Sequence, residues 1–97
     1  MNFKEEYAQS DKKWDVFEKL FTDLGIKHHG AFYDHDINAV FVRVDSLAFD
    51  SDMVLKAMGI PISFETIGML GALTDDGPFK KGKGWFYINL NLVNRYL

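Results

Sequence analysis

The segment HHGAFYDHDINAVFVRVDSL, residues 28–47, carries the clearest tertiary signal in the chain. Val40, Val42 and Val44 alternate with Phe41, Arg43 and Asp45, the period of two that marks a half-buried strand. Residues 30–34 precede them as a pairing partner. His35, Asp36, Ile37 and Asn38 lie between, with Asp and Asn side chains suited to closing a turn on their own backbone. This stretch predicts an antiparallel hairpin.

Upstream, Phe3, Tyr7, Trp14, Phe17, Phe21 and Leu24 recur in steps of three and four, interrupted at Ser10, and predict a helix with an aromatic core stripe. Asn2 with Glu5 fits an N-cap and its capping-box partner, and Gly25 supplies the stop. Ser10 and Asp11 offer an alternative start, which would leave residues 1–9 as an arm. Downstream, Asp50 or Ser51 caps a short second helix that buries Met53, Val54, Ala57 and Met58 and ends at Gly59 and Pro61. Residues 62–73 admit two readings. Ile62, Phe64, Thr66 and Ile67 favour a strand, whereas Ser63 could cap a helix bearing Phe64, Ile67, Leu70 and Leu73. The last element reads as one strand, with Phe86, Ile88, Leu90 and Leu92 alternating against Trp85, Tyr87, Asn89 and Asn91. Together these predict an α+β fold in a single domain over residues 1–97. An antiparallel sheet of three to five strands packs against the N-terminal helix and the short second helix.

Composition narrows the class. The chain is 97 residues long and 47% hydrophobic, with nine Phe, four Tyr and two Trp, enough to build a core without a metal or disulfide staple. It has no cysteine, which removes thiolate nucleophiles, thiol redox pairs and thiolate metal sites. No apolar run approaches the roughly 18 residues of a membrane span, and residues 1–25 lack a secretory leader pattern. The expectation is a soluble, cytoplasmic protein without membrane contact. Charge is divided along the chain. All 14 acidic residues fall in residues 1–76 against seven Lys and Arg, a balance of −7, while residues 77–97 hold Lys80, Lys81, Lys83 and Arg95 with no acid, a balance of +4. Such a division can steer an ionic partner or dock one copy on another.

Three groups of residues bear on function. His28, His29, Asp34, His35 and Asp36 have metal-ligand chemistry, but adjacent histidines on a strand point to opposite faces, and the spacing fits no metal site. No metal, cofactor or catalytic residue is expected. Gly77, Lys80, Lys81, Gly82 and Lys83 could cradle a phosphate with backbone amides and lysine charges, although the P-loop pattern is absent. Trp85, Tyr87, Asn89 and Asn91 would form a polar-aromatic strand face suited to partner contact, or pair with a second copy if that strand lies at a sheet edge.

The reading is a small non-enzymatic binding protein that regulates or inhibits a macromolecular partner, most plainly another protein. Size, lysine-rich coding and lack of cysteine fit a phage or mobile-element inhibitor of a host system, of the anti-CRISPR kind. The alternative is a module binding a nucleotide or other phosphorylated compound through residues 77–84. Two arginines in an acidic chain argue against extended duplex nucleic acid. Homo-oligomerisation is expected from the aromatic content and the strand face.

Overall fold

The computed structural model of the protein describes residues 2–78 and 84–97. Its elements in chain order are α1 (Phe3–Gln9), α2 (Lys13–Asp23), β1 (His28–Asp34), β2 (Ala39–Val44), α3 (Ser51–Met58), α4 (Phe64–Ile67), β3 (Leu70–Pro78), β4 (Gly84–Asn89) and α5 (Leu90–Tyr96). The strands form one antiparallel sheet in the order β1-β2-β4-β3. A Cα radius of gyration of 12.6 Å matches the value of about 12.5 Å expected for one folded unit of this length. The α+β class and the antiparallel sheet follow the sequence.

The predicted N-terminal helix is two helices. Asn2 caps α1 by accepting from the Glu5 amide at 3.2 Å, as expected. The chain then leaves the helix at Ser10, whose hydroxyl donates to the Lys12 carbonyl at 2.6 Å and closes a polar turn before α2. The aromatic stripe is nonetheless continuous in space. Phe3 and Tyr7 from α1 meet Phe17 from α2 with ring centroids 5.3 and 6.3 Å away. Val16 and Leu20 are buried beside them.

The hairpin forms as expected, with a four-residue turn between β1 and β2. Gly30, at φ +121, sits within the register shift between His28 and Ala31, a backbone conformation that side chains other than glycine rarely adopt. Val40, Val42 and Val44 point into the core together with Phe86 and Ile88 of β4. Four helices complete that layer. Val16, Phe17, Leu20 and Phe21 of α2, Val54, Leu55 and Met58 of α3, and Leu90, Leu92 and Val93 of α5 join the same buried cluster with α1. Asp50 caps α3 by accepting from the Asp52 amide at 3.0 Å.

Over residues 62–73 neither reading holds as a whole. Phe64, Thr66 and Ile67, the basis of the strand reading, are in a helical turn, and Leu70 and Leu73, assigned to the helix stripe, are in a strand. Ser63 and Thr66 form a reciprocal capping box over the single turn of α4, and β3 begins three residues after it. The helical stripe expected there does not form a core. Phe64, Ile67 and Leu73 are exposed, and only Leu70 is buried. The last segment also departs from expectation. The strand ends at Asn89 and the chain turns into α5, because Leu92 and Val93 are both fully buried. A strand sends neighbouring residues to opposite faces, whereas a helix can bury both.

Candidate protein-contact face

The sheet has two unlike faces. One carries the core, and the other presents Phe32 from β1, Phe41 and Arg43 from β2, Trp85 and Tyr87 from β4, and Gly71 and Leu73 from β3. The strand register places these residues side by side: Phe32 opposite Phe41, Phe41 opposite Tyr87, Arg43 opposite Trp85, Leu73 opposite Trp85 and Gly71 opposite Tyr87. Their alternation against Val40, Val42, Val44, Phe86 and Ile88 sets them on the side away from the helices.

The rings brace one another. Phe32 stacks on Phe41 at 5.2 Å between centroids with 9° between planes, and meets Trp85 edge-on at 5.2 Å and 81°. Phe41 and Tyr87 lie 5.6 Å apart. The Arg43 guanidinium sits 5.2 Å from the centre of the Trp85 ring, a cation–π distance. Phe41 is only 9% exposed although it stands outside the core cluster, and it is in ring contact with Phe32 and Tyr87. Phe32 is 45% exposed and Leu73 53%, while Trp85 and Tyr87 are half-buried. Among the described residues, the helices' buried apolar side chains all belong to the core cluster on the opposite face. No helix among the described residues covers this aromatic face.

Of the four residues predicted for this face, Trp85 and Tyr87 are on it. Asn89 continues the same alternation at the end of β4 and also serves the fold, and Asn91 lies beyond the strand in α5. The Asn89 carboxamide caps α5 by accepting from the Asn91 amide at 2.9 Å. The Asn91 carboxamide oxygen accepts from Asn38 Nδ2 at 2.9 Å, and Asn38 in turn accepts from the Tyr33 hydroxyl at 2.7 Å. This chain of bonds fastens the β1–β2 turn to the start of α5. It is reinforced by the Leu90 amide donating to the Asn38 carbonyl at 2.8 Å. An edge position for β4 is also corrected, since β4 lies between β2 and β3.

Phe32, Phe41, Arg43 and Leu73 join this face beyond what the sequence pattern assigns to it. Phe41 and Arg43 occupy the out-of-phase positions of the β2 alternation, and an aromatic there is the available signal. Phe32 needs the hairpin register, and Leu73 needs β3 to be a strand.

The histidine group does not converge. His28 Nδ1 lies 2.9 Å from the Ile26 carbonyl and its ring meets the Phe21 ring edge-on. His29 Nε2 lies 2.6 Å from Asp45 Oδ1 at the same end of the hairpin. His35 and Asp36 are in the turn at the far end, 3.4 Å from each other and open to solvent, where Asp34 accepts from the Asp36 amide. Among the described residues there is no group of three metal-ligating side chains. Lys80, Lys81, Gly82 and Lys83 lie outside the described residues. The segment before them, expected as loop, is strand backbone, since β3 runs to Pro78.

Elsewhere, the Tyr7 hydroxyl donates to Asn94 Oδ1 at 3.1 Å. Burial pushes the phenol above its ordinary pKa of 10.0, and Tyr33 adds in the same direction. Phe64, at 98% exposure, projects from α4 beside the exposed Ile62 and Ile67 in sequence. None of the helices among the described residues is long and apolar enough to cross a membrane. Comparison of the chain with known protein families, with characterised proteins and with solved structures finds no match.

Proposed function

We propose that the chain is a small non-enzymatic protein that regulates or inhibits a protein partner, held through the outer face of the sheet. The observation that carries this reading is the ring-to-ring cluster of Phe32, Phe41, Trp85 and Tyr87 standing outside the core. Aromatic residues and arginine are enriched at the energetic centres of protein interfaces. Rings already braced by their neighbours lose little freedom when a partner covers them, which favours affinity. The matching surface on the partner is apolar. Small size, nine lysines against two arginines and the absence of cysteine support the further reading as a phage or mobile-element inhibitor of a host system.

The test is capture from a host extract with four immobilised forms: wild type, Phe32→Ala, Trp85→Ala and, as a control away from the face, Phe64→Ala. A partner kept by wild type and by Phe64→Ala but lost from the two face variants supports the proposal. Equal retention by all four overturns the assignment of the face. A parallel thermal-shift series with nucleotides addresses the phosphate reading. Stabilisation that disappears when Lys80, Lys81 and Lys83 become Glu would move the function to residues 77–84.

A further inference from the structure

The sheet has two edges, β1 and β3. The β1 edge is broken by the irregularity at Gly30 and carries His28, His29 and Asp34. Bulges and charges of this kind are the usual guards against edge pairing. Over residues 70–74, LGALT, the β3 edge pairs regularly with β4 and carries no charge, and its guards, Asp75, Asp76 and Pro78, follow in the second half of the same strand.

The direction of the free backbone groups on β3 follows from one bond. The Asn89 amide donates to the Met69 carbonyl at 3.1 Å, in the same register as Gly71 opposite Tyr87 and Leu73 opposite Trp85. In an antiparallel pair, hydrogen-bonded positions alternate. Met69, Gly71 and Leu73 therefore turn their amides and carbonyls toward β4, and Leu70, Ala72 and Thr74 turn theirs outward. The Leu90 amide bonding to Asn38 on the other side of β4 gives the same phase independently.

We propose that this edge pairs with the β3 edge of a second copy, antiparallel about a two-fold axis through Ala72. In that register Ala72 exchanges both backbone bonds with Ala72 of the other copy, and Leu70 does so with Thr74. All of the outward groups on the strip are matched. On the outer face, Gly71 stands opposite Leu73 of the second copy. Gly71 has no side chain, and Tyr87 lies over it, so that the exposed Leu73 of each copy comes against the Tyr87 ring of the other. On the inner face the residues meeting at the axis are two alanines, which leaves room for close approach. No ionisable side chain falls within residues 70–74; Asp75 and Asp76, which follow in the same strand, come opposite Met69 and Gly68 of the other copy in this register, so no two acidic positions are set face to face. The result is one eight-stranded sheet with two aromatic platforms on the same side.

Sedimentation velocity across a micromolar concentration series, with single-cysteine variants, tests this. The expected result is a species of twice the 11.2 kDa chain mass. Ala72→Lys, which sets like charges face to face at the axis, should return it to the monomer with an unchanged circular dichroism spectrum. The chain has no native cysteine, so Ala72→Cys should cross-link to itself under mild oxidation, while Leu73→Cys, placed opposite Gly71, should cross-link far less. A wild type that stays monomeric throughout the series overturns the proposal. So does a dimer that survives Ala72→Lys, or one in which the Leu73→Cys variant links as readily as the Ala72→Cys variant. Partner capture by the aromatic face is a separate readout, so failure of the dimer and failure of the proposed function remain distinguishable.

Discussion

The Tyr87 side chain lies across Gly71 of the neighbouring strand, so close that a Cβ at position 71 would overlap the phenol ring. Glycine inside a strand normally weakens it, since there is no side chain to pack. Here the missing side chain is the seat for an aromatic ring from β4. Gly71→Ala should therefore turn the Tyr87 ring aside. Because the atoms met are the far end of a half-buried side chain on the outer face, the cost should stay at or below about 1 kcal/mol, the bottom of the overpacking range. In a double-mutant cycle with Tyr87→Ala the Gly71→Ala cost should largely vanish, because the clash is gone. Urea denaturation of the four proteins checks this, and additive costs would refute the coupling.

The end of β4 supplies a second prediction. Asn89 closes the strand and caps α5 in one residue. Replacing it with Ala should destabilise the protein by about 1 kcal/mol, while Asn89→Asp, which keeps an acceptor at the cap, should fall within a few tenths of wild type. Equal losses in the two variants would mean that the cap contributes little.

Asn89 also marks where the sequence stops being legible. The alternation of Phe86 and Ile88 identifies the strand, but Leu90 and Leu92 extend the same pattern into a helix, and only the adjacent Val93 distinguishes the two. The core hairpin is legible because Val40, Val42 and Val44 are covered on one side by helices, which imposes a strict period. The break at Ser10 is legible as an option, though two short helices and one long helix bury the same aromatic stripe. The contact face is half legible. Trp85 and Tyr87 stand out as a pair, but Phe32, Phe41 and Leu73 come from three other strands and join them only through the register. No local pattern records that neighbourhood.

Chelation gives a third prediction. His28, His29 and His35 engage the Ile26 carbonyl, Asp45 and Asp36 separately, with His35 at the opposite end of the hairpin from the other two. EDTA should leave the melting temperature unchanged, and zinc added in slight excess should not raise it. A melting temperature that falls on chelation and recovers with zinc would contradict this.

Alkaline pH gives a fourth. Burial, with Tyr33 adding to it, raises the folded pKa of Tyr7 above 10.0. A phenol with a raised folded pKa contributes stability that is intact below its unfolded pKa and is lost as pH rises through the folded value. Wild-type melting temperature should therefore fall above pH 10 more steeply than that of Tyr7→Phe, which cannot ionise. Below that pH the order is set by the hydrogen bond to Asn94, so wild type should be the more stable there. Parallel slopes for the two proteins between pH 8 and pH 11 would show that Tyr7 does not contribute to the alkaline transition.

The last prediction separates the two faces of the sheet by what each loses on truncation. Phe17 and Phe21 are fully buried in the core, and changing either to Ala should cost about 3–5 kcal/mol of stability. Phe32 stands on an edge strand with 45% of its surface already in water. Its truncation removes contacts only with Phe41 and Trp85 among the ring pairs, and should cost clearly less. Trp85 is half-buried and supports Phe32 and Arg43, so Trp85→Ala should fall between. For partner affinity the order should reverse. Phe32→Ala and Trp85→Ala should each weaken binding by about 2 kcal/mol or more, the level of an interface anchor. A milder core variant such as Val16→Ala, tested below its own melting temperature, should bind as wild type does. Denaturation curves and titration calorimetry on the same preparations give both orders. If affinity instead tracks stability across the set, the outer face has no role beyond the fold, and the exposed Phe64 on α4 becomes the side chain to truncate next.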